Sequence, residues 1–358
     1  MSALTILVAL GALYAAFGTL IAKVGLRGLT CTRSFSCPAA HEGTTGEMIE
    51  VVRNDRPMLI PWLRVESRIS PHLRLGEQDN LLVSFDTHAC SLFTLMPYQQ
   101  IKRRHKVRFL RRGEYNLGNA TLTVGDPLGV YQTSREQDMD APLLVYPRML
   151  SDEEIPTPLL TMLGDISAMR SLSTDPFLVR GIRPYRMGDP VRDIHWAATA
   201  RTGEAQVRLH DYTARSQLMV VFNAERVDQQ WSDRLMDYEE EDIEHVIAVA
   251  ATVCIRALAL GLCVGFAANM PLGKAEESTV LPPVSRANGE EALLTAFARL
   301  QIRRTDSFYG LLSALTNYTD LDMIVISRYT NERIEGALYD LRRSGNRVHL
   351  HLTGGEPA

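Results

Sequence analysis

The 358-residue sequence lacks the motifs of several well-known nucleotide-binding and hydrolytic sites. It contains no G-x-x-x-x-G-K-[ST] loop, no G-x-S-x-G turn and no H-E-x-x-H helix, so we do not expect it to hydrolyse ATP or to carry those hydrolase or zinc-protease sites. It also lacks an excess of positive charge, because 38 Lys and Arg residues stand against 42 Asp and Glu residues. Binding of nucleic acid over its whole surface is therefore not expected.

Cysteine is scarce, and its spacing is not that of a metal or disulfide site. Five cysteines occur, with no C-x-x-C pair and no paired histidine spacing, at Cys31, Cys37, Cys90, Cys254 and Cys263. An odd number with these spacings indicates neither a zinc ribbon nor a disulfide framework. We therefore expect free thiols in a reducing compartment, and no metal or other cofactor.

Charged residues are absent from Ala3 to Ala22, and this run bears on localisation. An α-helix of that length spans about 30 Å, which matches the apolar core of a bilayer. No Lys or Arg precedes the run and no small-x-small cleavage site follows it, so residues 1–24 are interpreted as a single transmembrane anchor rather than a signal peptide. Lys23, Arg27 and Arg33 follow the run, and the positive-inside rule then predicts a cytoplasmic location for the rest of the chain.

Residues 25–150 alternate short β-type runs with turn residues. Glu47–Val52 leads through Asn54-Asp55-Arg56-Pro57 to Trp62–Ile69, and later runs repeat the scheme. Several short strands separated by turn signals indicate an antiparallel β-sandwich or barrel, and we adopt the sandwich as the prediction. The sequence therefore predicts an all-β domain directly after the anchor.

The carboxyl-terminal part, residues 181–358, has a different periodicity. Apolar runs of strand length alternate with helical patterns in the order strand Gln217–Phe222, helix Ile243–Leu260, strand Leu262–Ala268, helix Glu291–Leu300, strand Met323–Ser327, helix Asn331–Arg343 and strand Arg347–Leu352. This alternation predicts βαβ crossovers and a doubly wound, mostly parallel α/β sheet with helices on both faces. Residues 151–180 are rich in Pro, Ser, Thr and acidic residues, and are interpreted as a linker between the two domains.

A dense pattern of charged and aromatic residues opens the second domain. Gly181–Trp196 has the form R-x-Y-x-x-G-D-x-x-R-x-I-x-W from its third residue, and Arg201 follows it. This segment resembles the signature of the bacterial family called domain of unknown function 58. Shorter matches at Pro61–Val65, Arg112–Tyr115 and Asp126–Gly129 extend the resemblance over most of the chain after the anchor.

The resemblance carries expectations about architecture and partners. It implies an amino-terminal membrane segment, a β-sandwich and a von Willebrand factor A-like α/β domain. Members of the family often look like partners of MoxR-type AAA+ ATPases, so the resemblance implies such a partner here. The family commonly starts with two membrane helices, whereas this sequence offers one candidate span.

The metal-site positions of a von Willebrand factor A-like domain are degenerate in this sequence. Such a site has the form D-x-S-x-S after the first strand, because Mg²⁺ prefers hard oxygen ligands. Here these positions begin with Asn223 and Glu225, and the later loop that would supply an aspartate reads Ser327-Arg328. We therefore expect no functional metal site, although the carboxyl edge of the strands remains the default ligand or partner face of an open α/β sheet.

The signature segment has two interpretations. In the structural one, an arginine at 183, 186 or 192 holds Asp189 through a bidentate pair, the turn after Gly188 is locked, and Trp196 is buried beneath it. In the functional one, His195 carries protons and the arginines bind an anion. The site residues singled out are Arg183, Tyr185, Gly188, Asp189, Arg192, His195, Trp196 and Arg201.

The leading hypothesis is a non-catalytic, membrane-anchored adaptor or assembly factor, which presents its von Willebrand factor A-like domain to a cytoplasmic MoxR-type AAA+ ATPase or to its client. The alternative is an enzyme that acts on an anionic substrate through the Arg183–Trp196 cluster. An open pocket gathering His195, Asp189 and two arginines would favour the enzyme, and a buried, mutually satisfied cluster would favour the adaptor.

Overall fold

The computed structural model describes residues 3–76, 81–84, 88–172, 179–210, 217–228, 236–303 and 305–353. The chain divides into two compact units, Met1–Arg148 and Met149–Ala358. We call the first the β unit and the second the α/β unit.

The β unit begins with a long apolar helix, α1 (Ala3–Val24). Within it, Leu4–Val24 is long and apolar enough to cross a membrane. Residues 4–13 are exposed along their whole length, whereas Ile21 in the last turns is 1% exposed and belongs to the core of the β unit. The expected anchor is therefore continuous with the first domain, because its last turns supply part of that domain's apolar core.

Short strands make up the rest of the β unit. They are β1 (Leu29–Phe35), β2 (Ala39–His41), β3 (Thr45–Asn54), β4 (Ile60–Arg68), β5 (Leu73–Leu75), β6 (Leu81–Ser84), β7 (His88–Leu95), β8 (Gln100–Phe109), β9 (Gly113–Asn116), β10 (Asn119–Gly125), β11 (Gln132–Asp138) and β12 (Pro142–Tyr146). The sheet orders are β1-β3-β8-β5, β11-β10-β4-β7-β6 and β2-β12-β9. The first two sheets are antiparallel and bury side chains of both in one core, so the expectation of an antiparallel arrangement is confirmed.

A charged cluster lies inside the β unit. Arg33 of β1 and Glu50 of β3 face each other across the ladder, with 2.8 Å between Arg33 Nε and Glu50 Oε1, and both side chains are 0% exposed. Arg33 also donates to the Ser67 hydroxyl on the opposite sheet, and His105 Nε2 lies 3.4 Å from Glu50 Oε2. Burial alone would raise the pKa of Glu50, but the hydrogen bond with His105 and the charge and hydrogen bond of Arg33 lower it below its ordinary value.

Removing one member of this buried cluster leaves a charge without its partner. We expect Glu50→Ala to lower the free energy of unfolding of the β unit by about 3–5 kcal/mol, measured by urea titration of the full chain in detergent. The matched control is Glu47→Ala, which removes a carboxylate from an exposed pair with Arg104 and should change stability by less than about 0.5 kcal/mol. Because the folded-state pKa of Glu50 is lowered, its contribution should be complete above its unfolded pKa and disappear as the pH falls through the folded value. Equal stability of the two variants would contradict this assignment.

The α/β unit is built around a central sheet. Its elements are α2 (Thr157–Leu172), β13 (Val179–Pro184), α3 (Trp196–Thr202), β14 (Gln206–His210), β15 (Gln217–Phe222), α4 (Asp237–Ala259), β16 (Cys263–Ala268), β17 (Thr279–Val284), α5 (Arg286–Arg299), α6 (Phe308–Ala314), β18 (Asp322–Ser327), α7 (Glu332–Arg343) and β19 (Arg347–Leu352). The sheet order is β17-β16-β15-β18-β19, parallel except for the antiparallel edge strand β17. The mixed α/β class predicted from the alternating pattern is confirmed.

Helices cover both faces of this sheet. Alternate residues of β15 point to opposite sides, so that Val220 joins a core with α2, α4 and α5, while Val221 joins a core with α6 and α7. On the first side, Phe222, Phe266 and Phe297 stack, with 4.2 Å between the ring centroids of the last two. A strand with two buried faces explains the continuous apolar run in its sequence.

The interpretation of residues 151–180 as a linker is corrected by α2. Leu159, Leu163 and Ile166 are buried in the same core as α4, so at least the helical part of this stretch belongs to the α/β unit. The acidic residues at 152–154 and Pro156 lie before the helix, and Pro158 lies in its first turn, where Pro is tolerated.

Candidate functional site

The signature segment forms a small structure of its own within the α/β unit, which we call the signature arm (residues 179–210). Strands β13 and β14 pair with each other in a two-stranded antiparallel sheet, with Arg183 opposite Val207. Between them the chain makes a tight turn, a short 3-10 helix at Val191–Asp193 and helix α3. The arm thus brings the matched residues of the signature onto one hairpin.

Arg183 and Asp189 form the central ion pair of the arm. Arg183 Nη1 lies 2.7 Å from Asp189 Oδ2, and Nη2 lies 2.7 Å from Oδ1, so the guanidinium binds the carboxylate with both branches. Asp189 Oδ2 also accepts from the Arg186 backbone N–H at 2.8 Å, which closes the turn. Gly188 has a φ of 107°, a value that residues with a Cβ rarely adopt, so the turn requires glycine there.

Arg183 and Asp189 each stabilise the charged form of the other. The hydrogen bond from Arg183, followed by the backbone hydrogen bond from Arg186, lowers the pKa of Asp189 below its usual range. The same contact with Asp189 raises the pKa of Arg183. Both carboxylate oxygens are engaged, so this carboxylate and its fork of N–H groups are used to hold the hairpin together.

His195 caps the first turn of α3. Its Nδ1 accepts a hydrogen bond from the Ala198 backbone N–H at 3.0 Å, as an N-cap side chain does. Its own backbone N–H donates to the Gln206 carbonyl at 2.8 Å and so ties α3 to β14. In this geometry Nδ1 acts as the acceptor of the helix cap, which gives His195 a structural role.

The expected burial of Trp196 is wrong. Trp196 is the first residue of α3 and is 69% exposed. A two-stranded sheet and a helix of two turns offer too little surface to cover an indole ring, and within the described part of the arm Val207 is the buried apolar side chain. The other apolar side chains of the arm that lie exposed are Ile182, Tyr185, Met187 and Val191.

The remaining signature arginines lie outside the central pair. The Arg192 side chain is 86% exposed, and its Nε lies 3.9 Å from Asp193 Oδ1. Arg201 is exposed in the last turn of α3, where a positive charge is favourable near the helix carboxyl end. Arg183, Asp189 and Arg186 are therefore brought together, whereas Arg192 and Arg201 are not part of that contact.

The carboxyl edge of the central sheet carries a closed amide and hydroxyl network. Asn223 follows β15, and its Oδ1 accepts from the Asn269 side chain at 3.0 Å and from the Glu225 backbone N–H at 2.9 Å. Its Nδ2 donates to Ser327 Oγ at 3.1 Å. Ser327 in turn donates to the Tyr329 carbonyl at 2.7 Å.

Glu225, the second degenerate position, is also engaged. Tyr329 OH donates to Glu225 Oε2 at 2.6 Å. Burial, and then the neighbouring Glu225 carboxylate, raise the pKa of Tyr329, so the phenol keeps its proton for this bond. Asn269 and Tyr329 were not among the residues predicted from the sequence, although Asn269 directly follows the buried strand β16 just as Asn223 follows β15.

These side chains do not fit the divalent cation that the family resemblance implies. The Asn223 carbonyl oxygen already accepts two hydrogen bonds, and the Ser327 hydroxyl is shared between two partners. Mg²⁺ would need hard oxygen ligands that are free to coordinate it. Among the described residues, no group of three or more His, Cys, Asp or Glu side chains is placed to hold a metal ion.

A cavity of about 390 Å³ opens near this edge, beside the first turns of α4 and the end of β19. Its charged and titratable lining side chains are Asp242, His245, Arg328 and His351. Arg328 Nη1 lies 2.7 Å from Asp242 Oδ2, so these two charges satisfy each other. None of the arm side chains that the structure describes lines this cavity, so it is not the pocket that the enzyme hypothesis required at His195 and Asp189.

Residues 181–307 match the family described as protein of unknown function DUF58. The match begins at the signature arm and supports the resemblance seen in its motif. No curated protein matches the chain. Among solved structures, similarity is found to native alpha-2-macroglobulin from Escherichia coli, with 13% identity and a TM-score of 0.27 over 34% of this chain and 24% of that one.

Two further solved structures have similarly low scores. A Salmonella alpha-2-macroglobulin mutant has 13% identity and a TM-score of 0.27, covering 34% of this chain and 9% of that one. A non-cellulosomal cohesin from the archaeon Archaeoglobus fulgidus has 10% identity and a TM-score of 0.22, covering 35% of this chain and 94% of that one. The chain thus spans a quarter or less of the two macroglobulin chains, and we draw no functional argument from these similarities.

The capping geometry of His195 separates a structural histidine from a proton carrier. His195→Asn keeps a side-chain acceptor suited to an N-cap but cannot titrate near neutral pH, whereas His195→Ala removes the acceptor. We expect hydrogen exchange in α3 to accelerate about fivefold in His195→Ala, for a cap worth about 1 kcal/mol, and to stay near the wild-type rate in His195→Asn. Equal acceleration in both variants would contradict the capping role.

The closed network at the sheet edge makes an independent prediction about cations. Millimolar Mg²⁺ or Mn²⁺ should leave the melting temperature of the full chain unchanged, because Asn223 Oδ1 has no hydrogen-bonding position left for an ion. An ion present at 100 times its Kd would stabilise the protein by about 2.7 kcal/mol, which a thermal shift would detect. A shift that is lost in Asn223→Ala would overturn the assignment.

Proposed function

We propose that the chain is a non-catalytic, membrane-anchored adaptor or assembly factor. The proposal rests on a contrast in the signature arm between polar side chains that are hydrogen-bonded within the arm and apolar side chains that are exposed. Three of its charged or titratable groups, Arg183, Asp189 and His195, bind one another or the backbone, while Trp196 and Met187 are turned to solvent. An arm in which these three side chains are hydrogen-bonded internally, and in which apolar side chains are exposed, is suited to binding a protein rather than to transforming a substrate.

The composition of the exposed face supports this role. Aromatic residues, Met and Arg are enriched in protein interfaces, and Trp, Tyr and Arg dominate their hot spots. The arm presents Trp196, Tyr185 and Met187 together with the exposed Arg192 and Arg201. In contrast, the alternative enzyme could use Arg183 to bind an anion only if Arg183 first left Asp189.

The order of the central sheet supports a von Willebrand factor A-like domain. Counted from β15, the strands run third, second, first, fourth and fifth across the sheet, with the third strand antiparallel at one edge. In this proposal the hydrogen-bonded network around Asn223 occupies the place where a von Willebrand factor A-like domain would bind its divalent cation. The edge would then act as a partner-binding face without an ion.

The membrane location and the partner are further parts of the proposal. Helix α1 is long and apolar enough to span a bilayer, and Lys23 and Arg27 at its carboxyl end favour a cytoplasmic location for both units. The partner is a MoxR-type AAA+ ATPase or its client, as the family resemblance implies. Since the sequence has no phosphate-binding loop, any ATP hydrolysis would belong to that partner.

The arm can be tested directly as a partner-binding surface. The full chain is purified from membranes after mild cross-linking, and the amount of copurified MoxR-type ATPase is compared between wild type and Trp196→Ala. We expect about a 30-fold weaker interaction, the loss for a hot spot of about 2 kcal/mol. Tyr339→Ala is the matched control, because it removes a similarly exposed aromatic ring from α7.

Two results would contradict the proposal. Copurification that is equally strong in Trp196→Ala and Tyr339→Ala would show that the arm does not bind the partner. Loss of cellular function in His195→Asn, with the partner still bound and α3 still protected from exchange, would indicate proton transfer and favour the enzyme acting through the Arg183–Trp196 cluster.

A further inference from the structure

The loops at one end of the β unit gather around the base of α1. Ile60 lies opposite Leu95 in the ladder between β4 and β7, and Trp62 lies opposite Gly125 in the ladder between β4 and β10. The loops before β4, after β7 and after β10 therefore emerge at the same end of their sheet. The segment after α1 joins this end too, because the Asp55 backbone N–H donates to the Gly28 carbonyl at 3.0 Å.

These loops carry exposed apolar side chains, which we call the apolar rim. Leu128 is 75% exposed and Val130 is 67% exposed, both in the loop between β10 and β11. The other members are Leu59, Met96 and Tyr98. Isolated exposed apolar residues are common, but a group at one end of a domain marks a surface that contacts another apolar phase.

The loop with Leu128 and Val130 is held in a defined conformation by hydrogen bonds. Asp126 Oδ1 accepts from the Tyr131 backbone N–H at 2.6 Å, and Oδ2 accepts from the Leu128 backbone N–H at 3.2 Å. The Trp62 indole N–H donates to the Asp126 carbonyl at 2.7 Å. The Asp126 side chain thus fixes the loop with its apolar side chains turned outward.

This loop also runs alongside α1. The Tyr131 ring lies so close to Gly18 that a Cβ at that position would collide with it, and the centroids of Tyr131 and Tyr14 are 6.5 Å apart. Gly25, at the end of the helix, instead lies against Val124 inside β10. The residues near Gly25 therefore pack against strand β10, whereas Gly18, about two turns earlier in the helix, packs against the loop between β10 and β11.

The height of the loop along α1 places it at the apolar part of the helix. Gly18 precedes Lys23, the first charged residue, by five positions, which is about 7.5 Å of helix. Tyr131 packs at Gly18, so the loop reaches past the level at which charges begin. Below that level lie the charged groups Lys23, Arg27 and Arg56, the last of which contacts Gly28.

We propose that the apolar rim inserts into the lipid bilayer beside α1, as a second membrane contact of the β unit. Leu128 and Val130 would enter the acyl-chain region, while Tyr98 and the cations below it would meet the headgroups. The lipid bilayer is the occupant that continuity with α1 favours. The inference rests on the membrane anchoring in the proposed function, since without a spanning α1 the rim has no bilayer beside it.

The test uses the full chain reconstituted in vesicles of phosphatidylcholine and phosphatidylglycerol, with bromine atoms on the acyl chains as quenchers. Leu128→Trp introduces an indole at the rim. Leu110→Trp is the matched control, because Leu110 is an exposed leucine that follows β8 at the opposite end. We expect the emission added at position 128 to be shifted to shorter wavelength and mostly quenched, and the emission added at position 110 to be retained.

A second pair of variants tests the packing that sets the height of the loop. Gly18→Val must displace Tyr131 and should reduce the quenching at position 128, whereas Gly11→Val adds the same side chain at a position with no protein atom nearby and should leave it unchanged. Equal quenching at positions 128 and 110 would overturn the inference. A blue shift at position 128 without quenching would also overturn it, in favour of contact with a second copy of the chain.

Failure of the anchor can be told apart from failure of the rim. If alkaline carbonate extracts the wild-type chain from the vesicles, α1 does not span them, and the anchoring and the inserted rim are overturned together. If the chain resists extraction and the indole at position 128 is not quenched, the anchor stands and the inference about the rim is overturned.

Discussion

A charged or polar group can be withdrawn from water only when another group of the protein satisfies it, and this constraint organises both units. In the β unit, Arg33 and Glu50 are buried because each meets the other across the ladder. At the edge of the central sheet, Asn223 and Asn269 are buried in a network of neutral partners. Side chains that could serve as ligands are thus already hydrogen-bonded to other groups of the protein.

The same constraint acts in the signature arm with a different result. The arm has too little apolar surface to bury its charges deeply, so Arg183 and Asp189 remain partly exposed, with side-chain exposures of 30% and 16%. Their two parallel hydrogen bonds give geometric precision to a hairpin that lacks a large core. A hairpin ordered by an ion pair can leave its aromatic side chains outside, and Trp196 is one of them.

The sheets of the β unit and helix α1 cannot be treated as independent parts. Ile21 of α1 packs with Leu63, Leu122 and Val124 in one core, so the orientation of the β unit relative to its helix is set by packing rather than by a flexible connection. A helix that only tethered the domain would leave the loops of the rim free to face water. A helix that shares the core holds those loops at a constant height along its axis.

Much of the α/β unit could be predicted because its strands are long apolar runs. Strand Gln217–Phe222 occurs at the predicted residues because it is an apolar run with both faces buried. Strand Arg347–Leu352 also occurs at the predicted residues, although it lies at the sheet edge and is only partly buried. Strand β17 was missed because it contains Pro282 and Pro283, which are tolerated at a sheet edge but weaken the sequence signal. The helical spacing of Leu159, Leu163 and Ile166 was present in the sequence, but the acidic and proline-rich start of that stretch obscured it.

The candidate site was harder to predict than the fold, because the exposure of a side chain depends on residues distant in the sequence, which a local motif does not describe. The motif predicted a contact between Asp189 and one of its arginines, yet it could not show that Trp196 is 69% exposed. That difference bears on function. A cation site binds an acidic partner through the charge of its ion, whereas the amide and hydroxyl groups around Asn223 are already hydrogen-bonded to one another. On the proposed function, recognition at the arm must then come from desolvation of aromatic and apolar side chains together with arginine, a mode whose strength does not depend on divalent ions.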